Sequence, residues 1–510
     1  MNMDRRTFGK LATAFTLGSG TSLRGTTRST IAPAPRTPEQ DAAPAEPLRI
    51  GNRKQMFLDR WIVAETDEIL FTVVPPAKHG DVPVMMADQP ADERVPYPQA
   101  TNPTGVRWNA EKKLFEMWYE AVYLAPGKER HYFAYAQSED GINWRKPQLG
   151  LKKIDGFNDR NFVDGPGGRV LFDDHEADPQ RRLKLVGGGI NLNIWFSPDG
   201  MHWRPASKEP VFTKIGDSHT LLGWDPNRQK YVGYFRPRNP PGPVPRRTIG
   251  ISTSDDAVKW SPIQEILAPD EHDPVGSEFY YLSAGIFGDM YIGILPVLHL
   301  DRQFLDYRQT DPQGLEQTVD AQLVASRDGV HWTRMGNRQP WLRTGDYESW
   351  DDQNLWPANP FTHDGRIWLY YGGQCVRHTI PNLQNEFGRK IEGRTRLGGV
   401  GLATLREDGW VAVRPNLGRR GVLTTRTFIL EHTALYVNVD ASQGKCSVEL
   451  LSADNKPLPQ FSGTNAAAIS SDALHYRVPW KHNLAQFINQ PVRLRFTLEH
   501  SRLYAFQLNS

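Results

Sequence analysis

Cysteine is nearly absent. The 510 residues contain two, Cys375 and Cys446, so no disulfide framework organises the chain, and neither stands at a metal-ligand spacing. They fall in regions assigned below to different domains, which favours two buried thiols over a bridge. Charge of one sign is missing too: 60 Lys and Arg stand against 58 Asp and Glu, a net charge of +2. Without a basic block, nothing recommends a nucleic-acid partner. No segment is apolar for long enough to cross a bilayer, so no membrane span is expected. P-loop, dinucleotide fingerprint and HExxH zinc pattern are all lacking. No cofactor and no catalytic metal are therefore expected, with structural Ca²⁺ left open.

What the chain has is turn residues and rings. With 44 Gly, 39 Pro, 15 Trp, 17 Tyr and 22 Phe, its composition suits a turn-rich β protein with aromatic surfaces. At the start, MNMDRRTFGKLATAFTLGSG places Arg5 and Arg6 before Phe8, Lys10 and a weakly apolar run, the pattern of a twin-arginine export signal. A Pro-, Ala- and Thr-rich linker follows as far as Pro47, so residues 1–47 read as signal plus linker and the mature protein as periplasmic or extracellular.

One motif recurs. SEDGINW from Ser138 returns as SPDGMHW from Ser197, SDDAVKW from Ser254 and SRDGVHW from Ser326. The Trp-to-Trp spacings, 59, 57 and 72 residues, are the period of a multi-stranded unit, too long for a helical solenoid. The third unit is the clearest. SHTLLGWDPNRQ, KYVGYFRPR, RTIGISTSDDAVKW and QEILAPD read as four antiparallel strands joined by turns, one propeller blade. A degenerate fifth copy ends in GGVGLATLREDGW. The fold expected is thus all-β: a five-bladed β-propeller over residues 48–415, then a β-sandwich over 419–510, where alternating strands such as KCSVELLSADNKPLPQF and PVRLRFTLEH follow at short spacing. In the repeated motif Asp accepts turn amides, Gly takes a positive φ and Trp packs under a neighbour, which are tasks of scaffold, not catalysis. The motif resembles the Asp-box of sialidase-type propellers, one residue shorter between Asp and Gly.

Catalytic residues are sought where first strands begin, since in a propeller those starts share one funnel. Gln99 and Asn102, Asn161 and Asp164, then Asp217 and His219 take those places in the first three blades. Asp270, Asp273 and Glu278 take them in the fourth, and Glu348, Asp351 and Asp352 in the fifth. Carboxylates converging in one funnel repel, so at least one is expected to keep its proton near neutral pH. A protonated acid facing a carboxylate is the equipment of glycoside hydrolysis. Glu278 is expected as general acid, with Asp217 or Asp352 as base or nucleophile. Asp270 and Asp273 read as turn residues. Glu120, Arg236, His299 and His378 end second strands and form a rim for sugar hydroxyls or an acidic group. Trp118, Tyr280, Trp350 and Trp356 are placed either to stack on sugar or to pack between blades, and Trp350 joins Gln99, Asn102, Asn161 and His219 in the candidate binding set.

Five blades, inner-strand acids and a trailing sandwich together resemble the invertase-like and arabinanase-like glycoside hydrolases of families 32, 43 and 117. That resemblance implies a secreted glycosidase with an Asp, Asp and Glu set. The chain departs from it in lacking W-x-N-D-P-N-G, R-D-P and E-C motifs, and in having Gln99 and Asn102 where those families place an acid. Three other readings stay open: a sialidase, clamping a carboxylate with Arg236, Arg238 and Arg377; a non-catalytic carbohydrate-binding propeller; and a phosphorylase, which a dependence of rate on phosphate would reveal. Oligomeric state is not legible.

Overall fold

The computed structural model describes residues 46–86, 99–125, 128–152, 161–237, 247–300, 316–376, 378 and 398–509. The twin-arginine segment with its linker, Arg238 and Arg377 lie outside them. What is described is all-β: strands in several sheets, with only short 3-10 turns such as Pro179–Arg181.

Five antiparallel groups of strands follow the repeats. The first holds Gln99–Asn109, Leu114–Ala125 and Lys128–Ser138; the second Arg169–Phe172, Leu183–Gly187, Asn191–Ser197 and Arg204–Pro205. The third is His219–Asp225, Lys230–Phe235, Ile249–Ser254 and Gln264–Leu267, matching the sequence parse strand for strand. The fourth and fifth are joined by one parallel pair, Val319 with Asn354. In the fourth, the run EFYYLSAGIF is not continuous. It breaks into Ser277–Phe279 and Ser283–Phe287, both pairing with Met290–Leu300; the Tyr280 amide still donates to the Pro296 carbonyl at 3.0 Å, and Tyr281 and Leu282 leave the ladder.

Strands in these sheets are buried on both faces, and side chains alternate between two cores, as the two-residue period of a strand requires. On Lys230–Phe235, Tyr231 and Phe235 pack with Leu192 and Ile194 of the second sheet, while Val232 and Tyr234 pack with Phe279 and Leu295 of the fourth. Trp118 and Tyr135 meet Leu183 and Leu185 between the first and second sheets. Ile292 and Leu323 meet Leu369 and Ala403 between the fourth and fifth. Met117 and Ala134 meet Tyr370 and Leu402 between the first and fifth. Each sheet thus shares a core with the next, and the last with the first.

The four hairpins do the same work. In each, the Ser hydroxyl donates to the Asp carboxylate, and the carboxylate accepts the amides two and three residues on: Ile142 and Asn143 on Asp140 at 2.8 and 2.7 Å, with the pattern repeated at Asp199, Asp256 and Asp328. Gly141, Gly200 and Gly329 take φ of 74°, 78° and 68°, and Ala257 holds the same conformation at 59°. Trp144, Trp203 and Trp332 donate their indole N–H to the motif glycine carbonyl. The Ser and Asp side chains of the motif are thereby spent on their own turn.

Two features differ from the sequence reading. Residues 48–415 were expected as one domain, yet Gln55–Met56, Val63–Asp67 and Ile69–Val73 pair with Arg502–Asn509, Arg420–Thr425 and Val411–Pro415. These residues belong to the two C-terminal sheets, whose facing sides enclose one core of Leu423, Val437, Val448, Leu450, Phe496 and Phe506. The fifth copy looked degenerate because its outer strand comes from elsewhere: Ala77–Lys78, preceding the first sheet, pairs with Ala403 and Thr404. Both cysteines are buried and no disulfide joins them, as expected.

Candidate active site

Glu278 lies on the short strand Ser277–Phe279, opposite Leu298, and is 4% exposed. The amide of Phe279 donates to the Arg247 carbonyl at 2.9 Å, which lays Arg247 alongside, and the Arg247 guanidinium forms an ion pair with the Glu278 carboxylate. In the third sheet the Gly216 amide donates to the Arg236 carbonyl at 2.9 Å. A Cβ at Gly216 would lie 2.5 Å from the Arg236 side chain, so only glycine lets Arg236 fold back here. Its guanidinium reaches Asp217, and its amide donates to Nδ1 of His219 at 3.4 Å.

Tyr280, in the break between the strands, joins the two halves. The Arg236 and Arg247 guanidiniums stand 5.1 and 5.4 Å from its ring centroid, attracted by the ring quadrupole. Its hydroxyl meets Nε2 of His378 at 2.6 Å, and the Trp356 ring lies 4.9 Å away, edge to face. Asp217, His219, Arg236, Glu278 and His378, drawn from three sheets, are therefore brought together. The carboxylates were expected to repel one another. Instead Asp217 and Glu278 are each met by an arginine.

The other candidates divide. His299, opposite Ser277 on the neighbouring strand, meets Asp320 at 2.8 Å. Asp352 is buried and accepts the Glu348 amide at 2.7 Å. Its neighbour Asp351 turns the other way, to Lys78 at 2.6 Å and Tyr371 at 3.1 Å, in a cleft that Trp350 also lines. Trp350 stacks on Tyr371. Asn161 commits its amide nitrogen to the Tyr119 hydroxyl and the Tyr135 carbonyl, a core staple. Glu120 pairs in register with Asn102, and Gln99 with Tyr123; the side chains of Gln99 and Asn102 lie outside what is described. Asp270 and Asp273 are turn residues tied down by Arg338 and Arg334.

Sequence reasoning missed Arg247, Asp320, Gln353 and Asn354. Arg247 was findable. In an antiparallel sheet the start of the third strand lies beside the end of the second, so the polar residue opening RTIGIST had the same claim as Arg236.

Buried polar atoms without a hydrogen-bond partner among the described residues gather in this region: Nε2 of His219, Nη1 of Arg236, Oγ of Ser277, Oδ1 of Asp320, Oε1 of Gln353, Oδ1 of Asn354 and Nε1 of Trp356. Each such atom costs about 1–3 kcal/mol. Burial also pushes the His219 imidazole down to about 4, against smaller opposing contributions from the Gly189 and Gly216 backbone. It lowers Arg236 too, where Arg247 adds like-charge repulsion and Tyr280 and Glu278 oppose. Among the described residues no three His, Cys, Asp or Glu stand together as a metal site, and no helix is long and apolar enough to cross a membrane.

No family model matches the chain, nor does any curated relative. Among solved structures it is similar to a glycoside hydrolase at 17% identity, covering 65% of this chain and 92% of that one, with a TM-score of 0.45. It is also similar to a family 32 β-fructofuranosidase from Bombyx mori, at 11% identity over 84% of this chain and 94% of that one, TM-score 0.38. A β-1,2-mannobiose phosphorylase from Listeria innocua aligns at 11% identity over 65% of this chain and 96% of that one, TM-score 0.41. Glycoside hydrolases, one of family 32, thus stand among its structural neighbours, as the sequence resemblance implied.

Proposed function

We propose that this protein is a glycoside hydrolase built as a five-bladed β-propeller with a β-sandwich beside it, exported by the twin-arginine route and acting on carbohydrate in the periplasm or outside the cell. The succession of shared cores supports the propeller, with Ala77–Lys78 completing the last blade. The two C-terminal sheets and their common core support the sandwich. The observation that carries the function is the meeting of Asp217, Arg236, Arg247, Glu278 and His378 about Tyr280, at the heads of strands from three sheets, amid unpartnered buried polar atoms.

Given the ion pair with Arg247, we assign the roles differently from the sequence expectation. Within it Glu278 is a carboxylate acceptor, which suits a base or nucleophile; Asp217 serves Arg236, and Asp352 is left as proton donor. In this scheme the glycosidic C–O bond breaks as Asp352 passes its proton to the leaving oxygen. The anomeric carbon gains an oxygen either from water that Glu278 deprotonates or from Glu278 itself, before hydrolysis of that ester. Activity against a panel of plant and algal polysaccharides tests the proposal. Glu278→Gln is expected to lower turnover by about 10²–10⁴-fold while ligand is still bound. Turnover unchanged in that variant overturns it.

A further inference from the structure

Arg236 is 8% exposed, yet it is not saturated. A guanidinium carries five N–H donors in a fixed fork. Nη2 is used on Asp217, whereas Nη1 is buried and has no acceptor among the described residues. An unmet donor on a buried cation is among the costlier defects a fold can carry. Beside it stands a second cation, since Arg247 lies over the same Tyr280 ring, and its like charge adds to the burial that already lowers Arg236. The balancing carboxylates are unequal. Glu278 is buried, but the Asp217 side chain is 57% exposed and screened by solvent. The inward side of the cluster is thus richer in positive charge than a count of charges suggests. An anionic oxygen reaching Nη1 would meet the open donor and ease the repulsion at once.

We infer that Arg236 and Arg247 form a subsite for a carboxylate carried by the substrate, so that the saccharide taken is an acidic one, a uronic acid. Resting on the hydrolase reading, this narrows it to a substrate class. Both guanidiniums are gathered on the Tyr280 ring, 5.1 and 5.4 Å from its centroid, and planar, bidentate donors are what a carboxylate matches best.

Calorimetric titration with an oligogalacturonide and with its fully methyl-esterified form tests this, because the two differ in charge and little else. The wild-type protein is expected to bind the free acid about tenfold or more tightly than the ester, with the difference shrinking as salt rises. Arg236→Gln and the less buried Arg247→Gln are each expected to erase that preference. Equal affinity of the wild-type protein for acid and ester overturns the inference, whether or not either variant folds. So does a rate that rises on addition of inorganic phosphate bound at the same site, which would make the anion a co-substrate. Unselective binding with hydrolysis of neutral glycans sinks the acidic subsite and leaves the hydrolase standing. Selective binding of the acid with no turnover on any glycan does the reverse.

Discussion

Trp118 donates its indole N–H to the carbonyl of Gly200 at 2.6 Å, so a tryptophan inside the first sheet grips the SPDG hairpin of the second. Tyr370 holds Gly141 at 2.7 Å and Tyr234 holds Gly329 at 3.1 Å in the same manner. Three of the four repeated turns are therefore clasps between neighbouring sheets.

At Gly200 a Cβ would fall 2.2 Å from the Trp118 ring, at a φ of 78°. Gly200→Ala is expected to destabilise the protein by about 2–4 kcal/mol, from strain and overpacking together. Urea unfolding measures this. Activity per folded molecule should stay at the wild-type level, since the clasp touches no proposed catalytic group.

The third copy departs from its fellows, with Ala257 at φ 59° where they have glycine. An alanine in the left-handed region carries about 1 kcal/mol of strain. Ala257→Gly is expected to raise stability by about 0.5–1 kcal/mol in the same assay; a loss would show that the side chain's packing beside Val186 and Phe196 outweighs the strain.

Lys78 meets Asp351 at 2.6 Å, with the carboxylate side chain 4% exposed. Lys78→Met removes the cation and leaves a buried charge, at a cost of about 2–3 kcal/mol. Because Asp351 adjoins Asp352, turnover is expected to fall as well. Denaturation and rate measured together check both; stability and rate at wild-type values would show the strand Ala77–Lys78 to be dispensable.

Acidification should act in two windows. Burial depresses His219 to about 4 from its ordinary 6.5. The unfolded chain therefore takes up a proton between those values that the folded one refuses. Stability is whole above about pH 6.5 and falls toward pH 4, by about 3 kcal/mol at 1.36 kcal/mol per unit. His219→Gln should flatten that slope. Asp199 opens the second window: burial tends to raise it, but the His202 ring and the amides of His202 and Met201 bring it down to about 2, so its contribution is present above about pH 4 and lost below. Unfolding free energies from pH 3 to 8 separate the two. An unchanged slope in the His219 variant would remove the first.

The repeated hairpins were legible because everything that makes them lies within seven consecutive residues: a serine to brace the aspartate, an aspartate to collect amides, a residue tolerant of positive φ and a ring to close the turn. The strands of the third sheet were legible for a like reason, since alternation and turn residues are local. The break at Tyr280 was not. EFYYL is as apolar and aromatic as a buried strand, and nothing within it says that the strand breaks after Phe279 and that Tyr280 faces two arginines and a histidine.

Strand character, turn geometry and the places where polar residues interrupt apolar runs were set by the sequence alone, because they depend on period and on neighbours a few residues apart. Partnership was decided only in three dimensions. That Ala77–Lys78 completes the sheet of Gly398–Arg406, that Gln55–Met56 pairs with the chain's last strand, and that Arg247 rather than solvent answers Glu278 all follow from which edges and charges meet. A strand presents the same hydrogen-bonding edge to any partner, and a carboxylate the same charge to any cation, so the choice belongs to the packed whole.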